Sequence, residues 1–83
     1  MTVYVDNMRA RYGRMIMCHM HADTVEELHG MADKIGIQRK WFQNTKRPHY
    51  DICLSKRMLA VRHGAQQVST RDIVKMFKAQ RKI

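Results

Sequence analysis

The feature that most constrains this chain is a change of hydrophobic period at Asp23–Thr24. Before it, apolar residues recur every second position. Val3 and Val5 alternate with Thr2, Tyr4 and Asp6, and Ile16, Cys18 and Met20 alternate with Met15, Met17, His19 and His21. Such alternation, rich in β-branched and aromatic residues, describes strands that are apolar on one face only. After it the period is helical, with Leu28, Met31, Ala32 and Ile35 forming one stripe. Thr24 and Glu27 have capping-box spacing, with Asp23 as the other candidate cap. Glu26 and Glu27 suit the positive end of the helix dipole, and Gly36 suits a left-handed terminus.

The polar, basic stretch from Asn7 to Gly13 reads as a loop between the first two strands. Beyond Gly36, Ile37–Phe42 is expected as a short strand and Gln43–Pro48 as a loop. His49–Leu54 alternates again, with Tyr50, Ile52 and Leu54 on one side and His49, Asp51 and Cys53 on the other. Ser55 is expected to cap a helix that runs to His63 and stops at Gly64; Ala65–Val68 is expected as an edge strand. Ser69 or Thr70 caps a last helix with Ile73, Val74 and Phe77 facing inward. The order β-β-α-β-(β)-α-β-α predicts an α/β fold, a small mixed sheet of about four strands with three helices in one domain over residues 1–83. A chain this short buries only about 60–65% of its unfolded surface, so the core is expected to be thin.

Charge is the strongest functional signal. Residues 1–36 hold four Lys/Arg against five Asp/Glu, whereas residues 37–83 hold twelve against two, so the second half carries the whole +9 excess. Such a field attracts phosphates and acidic protein surfaces. No apolar run approaches the roughly 20 residues of a membrane span. The first residues show no basic-then-apolar leader, and two cysteines inside apolar segments are expected as reduced thiols, so a cytoplasmic protein is expected. The four isolated glycines form no nucleotide-binding fingerprint.

Two basic groups stand out. Arg39, Lys40, Lys46 and Arg47 interleave with Trp41, Phe42 and Tyr50, a composition in which bases stack on aromatic faces while cations hold the backbone. The last helix places Arg71, Lys75, Lys78 and Lys82 on one face, at spacings suited to a row of phosphates. Arg9, Arg11 and Arg14 make a smaller third group. Buried aromatics and solvated cations would account for the same patterns.

The polar groups Asp6, His19, His21, Asp23, His29, His49 and Asp51 include pairs on shared strand faces. If the strands adjoin, Asp6, His19, His49 and Asp51 form a candidate catalytic and metal-binding set. Histidine with carboxylate can bind a divalent metal or supply an acid and a base for phosphate-ester cleavage. His29 and Asp33, one helical turn apart, are expected to pair.

Several separated elements carry a resemblance: Val3-Tyr4-Val5-Asp6, then His19, Asp23-Thr24, Glu27-Leu28-His29, His49-Tyr50-Asp51, Gly64-Ala65 and Val68-Ser69. In these the chain resembles a family of small bacterial and phage domains of unknown function marked by a His-Tyr-Asp motif. That family often has an acidic residue where Pro48 stands here. The resemblance implies no activity, singles out Asp6, His19, Asp23, His29, His49, Tyr50 and Asp51, and fits a phage accessory protein. Three functions fit these features. The first is a module that binds RNA or single-stranded DNA through the C-terminal half. The second is a metal-assisted phosphodiesterase or nuclease. The third is an inhibitor or adaptor that binds an acidic host protein. The many methionines and an edge strand would also permit a homodimer.

Overall fold

The computed structural model describes residues 2–81, with the side chains of Tyr12 and of residues 77–81 left aside. The expected α/β architecture is present: three helices, and a mixed sheet of five strands among the described residues. The elements are β1 (Val3–Val5), β2 (Ala10–Tyr12), β3 (Met15–Ala22), α1 (Val25–Ile35), β4 (Tyr50–Cys53), α2 (Leu54–Arg62), β5 (Gln66–Gln67) and α3 (Thr70–Arg81).

β3 is the axis of the sheet. Met17 pairs with both Ala10 and Cys53, and Met20 with both Val5 and Tyr50. A strand residue can pair with only one neighbour on each side, so β4 flanks one edge of β3 while β1 and β2 share the other in succession. All these pairings are antiparallel; β5 adds to the far side of β1 in parallel. The strand β2 lies where the sequence reads as a loop. It forms because Gly13, at φ +61, turns the chain tightly enough to fold Ala10–Tyr12 back on Met15–Met17. The short, arginine-rich β2 has little apolar alternation, so its existence depends on the partner strand rather than on its own pattern.

A second difference concerns Ile37–Phe42. Instead of a strand, Arg39–Trp41 forms one 3-10 turn. Ile37 and Phe42 pack against the core from its two ends, and the single turn lets both reach inward. The helices follow the sequence more closely. The Thr24 hydroxyl accepts from the Glu27 N–H, and Gly36, at φ +80, ends α1 with its N–H on the carbonyls of Ala32 and Asp33. Lys56 Nζ donates to the Ile35 carbonyl at 2.8 Å. α2 starts at Leu54, with Cys53 rather than Ser55 at its cap position. In α3 the Ser69 hydroxyl accepts from the Asp72 N–H at 3.0 Å. Ile73 is buried, Val74 half-buried, and Phe77 lies outside the described side chains.

Register sorts the sheet into two faces. Val5, Met20 and Tyr50 lie side by side, as do Cys18 and Ile52. These side chains are buried against Leu28, Met31, Ala32 and Ile35 of α1 and Ala60 of α2. On the reverse face, His19 lies opposite Asp51, Met17 opposite Cys53, and Tyr4 opposite His21. No helix among the described residues is long and apolar enough to cross a membrane.

Candidate functional site

Asp6, His19, His49 and Asp51 meet. The junction forms where β1 gives way to β2. There the Asp6 N–H still donates to the His19 carbonyl at 3.0 Å, and its side chain turns into the sheet. Asp6 is fully buried. One of its carboxylate oxygens accepts from the backbone N–H of His19 at 2.8 Å and of Met8 at 3.2 Å. The other faces His19 Nδ1 at 3.0 Å. A carboxylate accepts only, so Nδ1 carries the ring proton and the neutral ring presents a lone pair at Nε2.

His49 is set in the same way. Its Nδ1 lies 2.6 Å from the Arg47 carbonyl, which can only accept, so in the neutral ring Nε2 is again the lone-pair atom. Both Nε2 atoms face one oxygen of Asp51, at 3.4 Å from His19 and 3.5 Å from His49. The other Asp51 oxygen accepts from Gln43 Nε2 at 2.9 Å. Gln43 is placed by a β-bridge with His49, and the sequence offered no signal for it. With both rings neutral, two imidazole lone pairs and a carboxylate oxygen would converge with no donor between them. Such a group repels itself unless a ring takes a second proton or a cation sits among them.

The distances are compatible with a cation. Charge-assisted N–H···O bonds run about 2.7–2.9 Å, shorter than either contact here. In a tetrahedral site with metal–ligand bonds near 2.0–2.1 Å, neighbouring ligand atoms lie roughly 3.3 Å apart. The three ligand atoms lie within 4.8 Å of one another. Each ligand also has the outer partner that fixes metal-binding side chains: Asp6 for His19, the Arg47 carbonyl for His49, and Gln43 for Asp51. Asp6, His19 and His21 form an alternative trio. Asp6 and His21 are buried, however, and the Asp6 oxygens already face two backbone N–H groups and His19 Nδ1, which places Asp6 to orient His19. His21, pushed down to about 4 by burial and then by the neighbouring His49, stays neutral beside the cluster.

A cleft of about 760 Å³ opens onto this group and is lined in part by His19, Gln43 and Asp51. Arg11, Lys40 and Lys56 supply its positive charge, and Met8, Met15 and Trp41 much of its apolar wall. Lys56 is absent from the candidate set read from the sequence. Of the residues expected to contact nucleic acid, Lys40 and Trp41 line this cleft. Arg39 is held in a two-pronged pair with Asp33, at 2.8 and 3.3 Å, which keeps the Asp33 carboxyl below its usual range. Lys46 and Arg47 are exposed in the preceding loop, and Arg71 and Lys75 are exposed on α3, away from the cleft lining. The Lys78 side chain and Lys82 lie outside the described residues.

The aromatic residues divide. Tyr50 is fully buried and Phe42 half-buried, whereas Trp41 is 61% exposed with Lys40 Nζ 5.2 Å from its ring centroid. The expected His29–Asp33 pair gives way to two others. His29 Nδ1 meets the Tyr50 hydroxyl at 2.6 Å, and Asp33 takes Arg39. The His-Tyr-Asp segment thus straddles the sheet. His49 and Asp51 belong to the polar cluster, and Tyr50, between them, ties β4 to α1.

The sequence matches the family model described as a protein of unknown function, DUF4031, over residues 3–80. The chain belongs to the DUF4031 family. Comparison with curated proteins gave no match, and neither did comparison with solved structures.

Proposed function

We propose that this DUF4031 protein is a divalent-metal-dependent hydrolase of phosphate esters, a phosphodiesterase of the nuclease kind. One observation carries the reading: two histidine Nε2 atoms face one Asp51 oxygen beside a cleft that His19 and Asp51 line, and each of the three side chains has a partner of its own. His19, His49 and Asp51 would hold the cation. Asp6, Gln43 and the Arg47 carbonyl orient those ligands. Such a cation would supply Lewis-acid polarisation of a phosphoryl oxygen and activation of water near neutral pH. Arg11 and Lys40 hold the substrate's negative charge in the same cleft.

The test is hydrolysis of bis(p-nitrophenyl) phosphate and of a short oligonucleotide in the presence of Mn²⁺, Zn²⁺ or Mg²⁺. Turnover is expected with at least one metal, abolished by EDTA and reduced at least 100-fold in His19→Ala, in line with loss of a metal ligand. Equal turnover in wild type and His19→Ala would assign the activity to a contaminant and end the proposal.

The exposed Trp41 beside Lys40 favours a second reading, a nucleic-acid-binding module without turnover. Binding with no cleavage under any of the three metals selects it. An acidic protein surface is the corresponding protein partner, and a complex that survives nuclease digestion selects that.

A further inference from the structure

The cleft beside the cluster combines two chemistries that a simple phosphate does not use. One is cationic. Lys40 and Arg11 line it, whereas Lys56 has its ammonium committed to the Ile35 carbonyl. The other is apolar and flat. Met8 and Met15 are exposed large apolar side chains on the cleft wall, and Trp41 is the most exposed of the three. An indole left in water forgoes the burial that usually favours Trp, and the Ile37–Phe42 segment has no need of it as an anchor because Ile37 and Phe42 already serve. Lys40 engages the ring at 5.2 Å, so ammonium and indole act as one unit.

We propose that this cleft takes a single-stranded segment of nucleic acid, with one unpaired base stacked on Trp41 and the flanking phosphates held by Lys40 and Arg11. The assignment rests on the hydrolase reading for the fate of the phosphate that reaches His19 and Asp51, and is independent of it for binding. A base face against indole is recognition open to any unpaired base. A duplex hides its base faces in the stack and offers only edges and backbone, which leaves Trp41 without a partner. An acidic peptide satisfies the two cations but leaves the indole and methionine wall wet. The outer edge of β4 borders the same cleft through Ile52 and Cys53, so a strand laid along it passes the metal ligand Asp51.

Trp41 is the chain's sole tryptophan, so its fluorescence reports on this cleft alone. EDTA-treated protein is titrated with (dT)₆ and with (rU)₆ at 50 and 200 mM salt. Saturable quenching with micromolar affinity is expected for at least one strand. Two phosphate contacts predict a slope near −1.4 on a log–log plot, hence about sevenfold weaker binding at the higher salt. Lys40→Gln should weaken binding severalfold and lower that slope by about 0.7. Trp41→Ala, read by anisotropy of a labelled strand, should weaken binding at least tenfold, whereas Trp41→Phe keeps most of it. Both positions in these variants are exposed, and circular dichroism checks that the fold is unchanged.

Fluorescence that stays flat to millimolar strand overturns the assignment. So does a duplex of the same length binding as tightly, and so does poly-glutamate quenching Trp41 with equal affinity, which would transfer the cleft to an acidic protein. The two proposals fail separately. Strand binding with no metal-dependent cleavage removes the hydrolase and leaves the cleft assignment standing. Cleavage of bis(p-nitrophenyl) phosphate with no strand binding removes the cleft assignment and leaves the hydrolase.

Discussion

The two faces of this sheet are built from the same strands and do opposite things. On one face Val5, Met20, Tyr50 and Ile52 are sealed under α1 and α2. On the other His19, His49 and Asp51 gather at a cleft, and their polar atoms confront one another. The first face is held together by burial, which is favourable wherever apolar area leaves water. The second holds lone pairs close together, an arrangement that adds nothing to stability by itself and is kept in place by the first. A sheet whose residues alternate between faces can separate the two roles within a single strand.

The largest expected effect tests this separation from the polar side. Asp51→Ala removes one of the three proposed ligands from a half-buried position. Mn²⁺ or Zn²⁺ affinity, measured calorimetrically, should fall at least 1,000-fold, as expected when one of three ligands is lost. Urea denaturation of the metal-free protein should move by no more than about 0.5 kcal/mol, because Asp51 supports no apolar contact and its ion pairs are part-exposed. A large loss of metal-free stability would mean that the cluster is structural.

The next tests it from the apolar side. Leu28 is buried in the centre of the α1 stripe. Leu28→Ala should cost about 3 kcal/mol, the usual range for a fully buried leucine. Metal affinity of the folded fraction should change less than threefold, since Leu28 belongs to the helix-covered core and not to the polar cluster. Denaturation with and without saturating Zn²⁺ reads both quantities in one experiment.

The sequence showed these faces unequally. The apolar one was legible almost completely, because Val3, Val5, Cys18, Met20, Tyr50 and Ile52 repeat every second residue and α1 announces itself with a cap, a stripe and a glycine. The polar one was legible as residues but not as an arrangement. Asp6, His19, His49 and Asp51 could be named. That β3 receives β1 on one side and β4 on the other is a long-range property that no local pattern carries. Gln43 had no signal, since its role comes from a bridge to His49 across a loop. β2 was hidden for a related reason: its pairing is supplied by Gly13 and β3, not by its own arginine-rich pattern. Trp41 was ambiguous until the 3-10 turn showed which of the neighbouring aromatics turns outward.

A smaller effect sharpens the boundary between the faces, at Asp6. This residue is buried like the core but serves the cluster by fixing the His19 ring. In Asp6→Asn the amide oxygen can still accept from the His19 and Met8 N–H groups, but the amide NH₂ then confronts His19 Nδ1–H. The ring must give up that proton or rotate. Metal affinity should fall 10–100-fold, the usual consequence of losing an outer-shell partner. Asp6→Ala would instead leave two part-buried N–H groups without their acceptor and lose stability as well, so the asparagine variant separates orientation from folding. Unchanged affinity in Asp6→Asn would show that His19 is held by packing alone.

The smallest effect belongs to the residue between the two ligands of β4. Tyr50 points away from the cluster, and its hydroxyl meets His29 Nδ1 at 2.6 Å in a half-buried setting. Burial raises the Tyr50 hydroxyl above its ordinary range, so it stays protonated and available as a donor. Tyr50→Phe keeps the ring, its contacts with Phe42 and the register of β4. Only the link between β4 and α1 is lost, worth about 1 kcal/mol, with His29 left to find water at its exposed side. Metal affinity should not move, although His49 and Asp51 flank the substitution directly. A fall of more than tenfold would show that the link to α1 sets the position of β4 closely enough to govern the ligands, and the two faces would then be mechanically coupled rather than merely back to back.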